Sequence, residues 1–143
     1  MRQIKRNAYV QYSPKEMFLL VDDIDAYPEF LPWCKHTKIH HRSDQNVVAT
    51  IALSKNGIQS QFTTSNKLTQ YDTIQLSLSE GPFSHFEGGW TFVDLKNKGS
   101  KIEFTLKFEF KSSLLDLSLG PFFENICDKL VDAFVLRAKE IYH

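Results

Sequence analysis

The feature that most constrains this chain is a change of hydrophobic period near Leu117. Before it, Ile102, Phe104, Leu106, Phe108 and Phe110 alternate with Lys101, Glu103, Thr105, Lys107, Glu109 and Lys111. That period of two predicts a strand over 101–111 with one dry face and one solvated face. After it, Leu119, Phe122, Phe123, Ile126, Leu130, Phe134, Ala138 and Ile141 recur at helical spacing, with Glu124, Asp128, Lys129, Asp132, Arg137 and Glu140 over the remaining surface. The pattern predicts a helix over 119–143, ~37 Å long at the usual rise per residue. A sheet with one apolar face has to cover it, and no other segment is long enough to cross six or seven strands. The expected class is therefore α+β, a curved antiparallel sheet closed by a long C-terminal helix.

The rest of the chain supplies that sheet. Ile4, Ala8, Val10 and Tyr12 mark a strand within 2–12. Ser13-Pro14-Lys15-Glu16 is a helix start, with an N-cap serine, a proline at the first position and a glutamate three residues after the cap. Met17, Phe18, Leu20, Val21 and Ile24 give this helix its apolar side. Pro28 and Pro32 then limit 27–33 to a short helical turn carrying Tyr27, Phe30, Leu31 and Trp33. Strands are expected at 35–42, 46–55, 58–69, 73–80, 86–95 and 101–111. Asn56-Gly57 is the strongest hairpin signal between them. Ile74, Leu76 and Leu78 line up on one strand, and Trp90 and Phe92 on the next. Gly81, Gly88 and Gly89 fall where strands must bend. The order is β-α-α-β6-α in a single domain, 1–143.

Composition narrows the function classes. Lys+Arg and Asp+Glu are both 17, so the formal net charge is zero. Binding of DNA driven mainly by phosphate contacts is not expected of such a chain. The one concentrated basic feature is Lys35 to Arg42, which has no acidic residue. Read as a regular strand, it projects His36, Lys38, His40 and Arg42 from one face, either as a contact for RNA or another anionic surface or as a charged edge strand. The two cysteines, Cys34 and Cys127, are too few for a disulfide scaffold and read as reduced thiols. No apolar run is long enough to span a bilayer and the N-terminus lacks a signal-peptide core, so the expected location is cytoplasmic, at most peripheral on an inner membrane face.

Catalytic constellations are poor. In a regular strand His40 and His41 point to opposite faces, so His36, His40 and His41 do not form a metal triad. Cys34 and His36 lack an orienting acid. Asp22, Asp23 and Asp25 read as solvent-facing or capping groups at a helix end, and no phosphate loop or dinucleotide fingerprint is present.

Three motifs carry a resemblance: Asp25 with Tyr27-Pro28-Glu29-Phe30-Leu31-Pro32-Trp33-Cys34, Gly81-Pro82-Phe83 followed by Gly89-Trp90-Thr91-Phe92, and Phe108-Glu109-Phe110. With these, the whole chain resembles the coenzyme Q-binding and ribosome-association-toxin branch of the START-like (polyketide cyclase/dehydrase, SRPBCC) superfamily. The resemblance implies a helix-grip fold with a tunnel between sheet and helix for ubiquinone-like isoprenoid quinones or other lipids, without a required cofactor. It also implies binding to the large ribosomal subunit that blocks subunit association, a role in respiration, and an antitoxin partner.

Twelve phenylalanines in 143 residues suit either a thick core or a cavity wall. The candidate ligand-binding residues are Tyr27, Phe30, Leu31, Trp33, Phe62, Thr64, Leu76, Leu78, Trp90, Phe92, Phe104, Leu106, Phe122, Phe123, Ile126 and Leu130. The same residues suit a filled core. Ten carbons of a prenyl tail contribute on the order of 8 kcal/mol before ordering costs, enough for micromolar binding with no specific polar contact. Ser60, Thr64 and Asn66 are read either as head-group partners or, with more weight, as solvent-facing strand residues. Tyr27 to Trp33 is a candidate lid. The rival readings are a polyketide cyclase or aromatase, which needs acid–base groups inside the cavity, and a ligand-free protein or RNA interaction module.

Overall fold

The structure, a computed structural model, describes residues 1–142. Seven strands form one antiparallel sheet: β1 (Arg2–Val10), β2 (Cys34–Arg42), β3 (Asn46–Lys55), β4 (Ile58–Thr69), β5 (Thr73–Glu80), β6 (Phe83–Asp94) and β7 (Ser100–Phe110). Three α-helices accompany it: α1 (Pro14–Asp22), the single turn α2 (Tyr27–Phe30) and α3 (Ser113–Ile141), with a 3-10 turn at Ile24–Ala26 before α2. The strand order is β1-β7-β6-β5-β4-β3-β2, so the meander runs from β2 to β7 and β1 closes onto β7.

Local chemistry sets most boundaries. Ser13 caps α1 in a full capping box: its hydroxyl accepts from the Glu16 amide, and Glu16 accepts from the Ser13 amide at 3.0 Å. At the Asn56–Gly57 turn both φ angles are positive (53° and 82°), as a type I′ hairpin requires, and Lys55 pairs with Ile58. Along β7 every second residue from Ser100 to Phe110 is buried. On β6, a Cβ at Gly88 would lie 2.1 Å from the Thr105 carbonyl oxygen, so only glycine lets the strands approach there.

Helix α3 begins at Ser113, six residues before the start that the pattern predicts, and its expected last residue, His143, lies outside the described residues. The Ser112 hydroxyl caps it by accepting from the Leu115 amide. The first two turns leave Leu114 and Leu117 on the surface, which masks the period carried by the half-buried Leu115 and Leu119. Pro121 lies inside the helix and deprives the Leu117 carbonyl of its usual donor. Arg2 of β1 bridges Asp116 and Glu124, and Arg6 reaches Asp128, fixing α3 over the β1–β7 side of the sheet. Strand β6 starts at Phe83 rather than near 86, with a register irregularity between Phe83 and His85.

Candidate functional site

Between the inner face of the sheet and the middle of α3 lies an apolar cavity of about 90 Å³. Its floor is a cluster of rings centred on Phe83, whose centroid lies 4.8–6.0 Å from those of Phe62, Phe86, Phe108, Phe110 and Phe123. Tyr27, Leu31 and Trp33 close one side, and Ile126, Cys127, Leu130 and Phe134 of α3 form the roof. The inner faces of β3 to β7 contribute the rest, including Ile51, Leu53, Leu76, Trp90, Phe104 and Leu106.

Twelve of the sixteen expected residues meet at this cavity: Tyr27, Leu31, Trp33, Phe62, Thr64, Leu76, Trp90, Phe104, Leu106, Phe123, Ile126 and Leu130. The other four do not line it. Phe30 packs behind it, between Phe134 at 5.3 Å and the Arg137 guanidinium at 4.9 Å from its ring. Phe92 sits under α1 against Phe18 at 5.6 Å, Phe122 is buried on α3 away from the cavity, and Leu78 packs at the margin of the core. Ile24, Cys34, Ile51, Leu53, Asn66, Phe86, Cys127 and Phe134 also form the wall.

The solvent-facing reading of Thr64 and Asn66 is overturned. They are 3% and 7% exposed and line the cavity, with the Thr64 hydroxyl donating to Asn66 Oδ1 at 2.8 Å. Ser60 stays half-buried and outside the cavity wall. The signal for this was available in the hairpin register. Counting back from Asn56-Gly57 places Thr64 opposite Ala49 and Asn66 opposite Val47, both fully buried.

The candidate lid is held along its first turn. The Tyr27 hydroxyl donates to the Val21 carbonyl, and Arg137 of α3 lies over Phe30 and 3.5 Å from Glu29. Burial pushes the Tyr27 hydroxyl above its ordinary pKa, with nearby carboxylates adding to the shift, so it stays protonated and donating. Burial likewise pushes the Cys34 thiol up to about 11, and the Cys127 thiol above its ordinary value. Neither is a thiolate at neutral pH, which is the form a nucleophile needs.

The basic strand departs from its expected alternation. Register shifts between Cys34 and His36 and between Ile39 and His41 insert extra residues into β2. Lys38 opposes the outward Thr50, but past the second bulge His41 opposes Val48 and Arg42 opposes the inward Val47. The one-residue slip moves Arg42 to the other face, away from His36 and Lys38, and brings His41 to theirs. Arg42 donates there to the Asp22 carboxylate at 3.0 Å and to its carbonyl at 2.9 Å. Asp22 is thus an ion-pair partner, not a solvent-facing group. Burial raises its pKa and Arg42 opposes that shift. His40 bonds Thr50 through Nε2 at 2.7 Å.

The comparisons with known proteins agree with this geometry. The family described as polyketide cyclase / dehydrase and lipid transport matches residues 10–135. The ribosome association toxin RatA of Vibrio cholerae is 42% identical over 142 residues, covering 99% of each chain. The mitochondrial coenzyme Q-binding protein of Drosophila melanogaster is 26% identical, covering 96% of this chain and 59% of its own. Among solved structures, a Streptomyces aromatase/cyclase superposes with a TM-score of 0.84 at 13% identity, over 99% of this chain and 96% of that one, a likeness of fold alone. No helix among the described residues is long and apolar enough to cross a membrane. With a seven-stranded sheet gripped by one long helix and a family match over most of its length, the chain belongs to the polyketide cyclase/dehydrase and lipid-transport family, in its RatA branch.

Proposed function

We propose that this protein binds an isoprenoid quinone or another lipid in the cavity beneath α3, without catalysing a reaction on it. The observation that carries the reading is the cavity wall. It is built from aliphatic and aromatic side chains, with protonated thiols, a bonded tyrosine, the indole N–H groups of Trp33 and Trp90 and one Thr–Asn pair as its polar content. A cyclase needs an acid and a base whose protonation changes near neutral pH, and among the described residues no carboxylate, lysine or histidine lines this wall.

At about 90 Å³ the cavity is smaller than the ~150 Å³ that holds a benzene molecule. On this reading the structure is the closed form, and uptake requires α2 or α3 to move outward. The Arg137 contacts to Glu29 and Phe30 are the surface bonds that such opening breaks. Organic extraction of the purified protein followed by mass spectrometry is expected to return a co-purified lipid. Absence of any lipid, together with no uptake of added quinone, overturns the reading.

The second part of the proposal rests on the ribosome association in the name of the Vibrio cholerae relative and, for the subunit, on the family resemblance of the sequence. We infer that this chain also associates with the large ribosomal subunit and keeps it from its partner. The contact would be the outer face of β2, where His36, Lys38, His40 and His41 stand exposed and Arg42 takes no part. In a density-gradient profile, added protein should reduce joined ribosomes, and Lys38→Glu should weaken that effect. An unchanged profile with a normally folded Lys38→Glu removes β2 from the contact.

A further inference from the structure

Among the described residues the Thr64–Asn66 pair is the only alcohol–amide pair on the cavity wall, and it is asymmetric. Asn66 Oδ1 already accepts from Thr64, while among the described residues the Asn66 amide nitrogen has no hydrogen-bond partner. Asn66 is more than nine-tenths buried and lines the cavity. An amide carries two N–H donors, and a buried donor left unpaired costs free energy that any correctly placed acceptor recovers. The indole N–H groups of Trp33 and Trp90 and the Cys127 thiol, on the same wall and without an acceptor among the described residues, are donors as well.

We propose that Asn66, oriented by Thr64, selects cavity ligands that present a hydrogen-bond acceptor, above all a carbonyl oxygen, on an otherwise apolar body. The inference rests on the binding reading above and adds a chemical class to it. Hydrocarbon bulk supplies affinity for any lipid of the right size. The amide discriminates because a ligand without an acceptor leaves it desolvated and unpaired, and sites of this kind reject the analogue lacking the bond. Thr64 acts as a positioning residue, since its hydroxyl occupies Oδ1 and so turns the N–H end toward the hollow.

The test is competition between two probes matched in length, a decyl-substituted benzoquinone and decylbenzene, each read by native mass spectrometry. Wild-type protein should favour the quinone by roughly tenfold or more, the range a single buried hydrogen bond supplies. Asn66→Leu should bind decylbenzene at least as well as wild type and lose the preference. Thr64→Val should lose part of it, and carries the test if Asn66→Leu does not fold. Equal binding of the two probes by wild type, or an undiminished preference in Asn66→Leu, overturns the inference while leaving cavity binding intact. Failure of wild type to take up either probe overturns the binding reading itself, and this inference with it.

Discussion

Two regions under α3 began as the same kind of apolar pattern and ended differently. Around Phe83, five other rings converge in tilted and edge-to-face contacts and pack against one another. Around Asn66, the inner face of β3 and β4 carries the short side chains of Val47, Ala49, Thr64 and Asn66, of which Thr64 and Asn66 line the cavity. One region is a solid floor and the other a hollow. The difference shows that a cavity comes from a local deficit of side-chain volume, not from a different hydrophobic pattern.

Mutations should separate the two regions, and the largest effect belongs to the floor. Phe108 is fully buried among Phe83, Phe110 and Phe123, so Phe108→Ala should cost about 3–5 kcal/mol in chemical denaturation. A cost near 1 kcal/mol would mean the floor is as loosely packed as the cavity. Added bulk should then distinguish the regions by sign of tolerance. Phe83→Trp should cost about 1–3 kcal/mol through overpacking, whereas Leu130→Phe, at the cavity roof, should cost under about 1 kcal/mol and abolish ligand uptake. Equal costs would break the comparison.

Smaller effects probe how the hollow opens. Arg137→Ala removes a cation–π contact and an ion pair with the exposed Glu29, together at most about 1 kcal/mol. Its expected signature is faster amide exchange confined to residues 27–31. Unchanged exchange would show that Arg137 does not hold the lid.

The smallest predicted effect is a slope. Burial holds the Cys34 thiol at about 11 against an ordinary value of 9.0. Between those values the unfolded chain releases the proton and the folded one keeps it, so stability falls as pH rises from 9 toward 11. Below that window Cys34 contributes no pH dependence. Cys34→Ser should flatten the decline, measured by thermal melts across the range, and an unaltered slope would place the thiol in contact with solvent.

Much of the fold was legible from the chain alone, wherever a local rule acted without competition. The boundaries of β3, β4 and β5 coincide with their expected ranges, because Asn56-Gly57 and the flanking turns pin the register. The α1 start follows from a capping box that needs only four residues. The early start of α3 was not legible, since the surface residues Leu114 and Leu117 of its first two turns blur the helical period. Neither was the fate of Arg42, because a bulge is one inserted residue whose cost depends on the partner strand.

For the site, the alternation of apolar residues was enough to name most of the wall, including Trp90, Phe104, Leu106 and Ile126. It was not enough to separate wall from core, which is why Phe30 and Phe92 were grouped with it. By itself the sequence determined which faces would be dry and that one helix must cover them, because periodicity is written in the order of residues. Only the tertiary structure decided that the dry space holds a hollow, that Thr64 and Asn66 point into it, and that Arg42 is spent on Asp22. Volume and hydrogen-bond partners are properties of residues far apart in the chain, and they acquire values only once the strands and α3 are brought together.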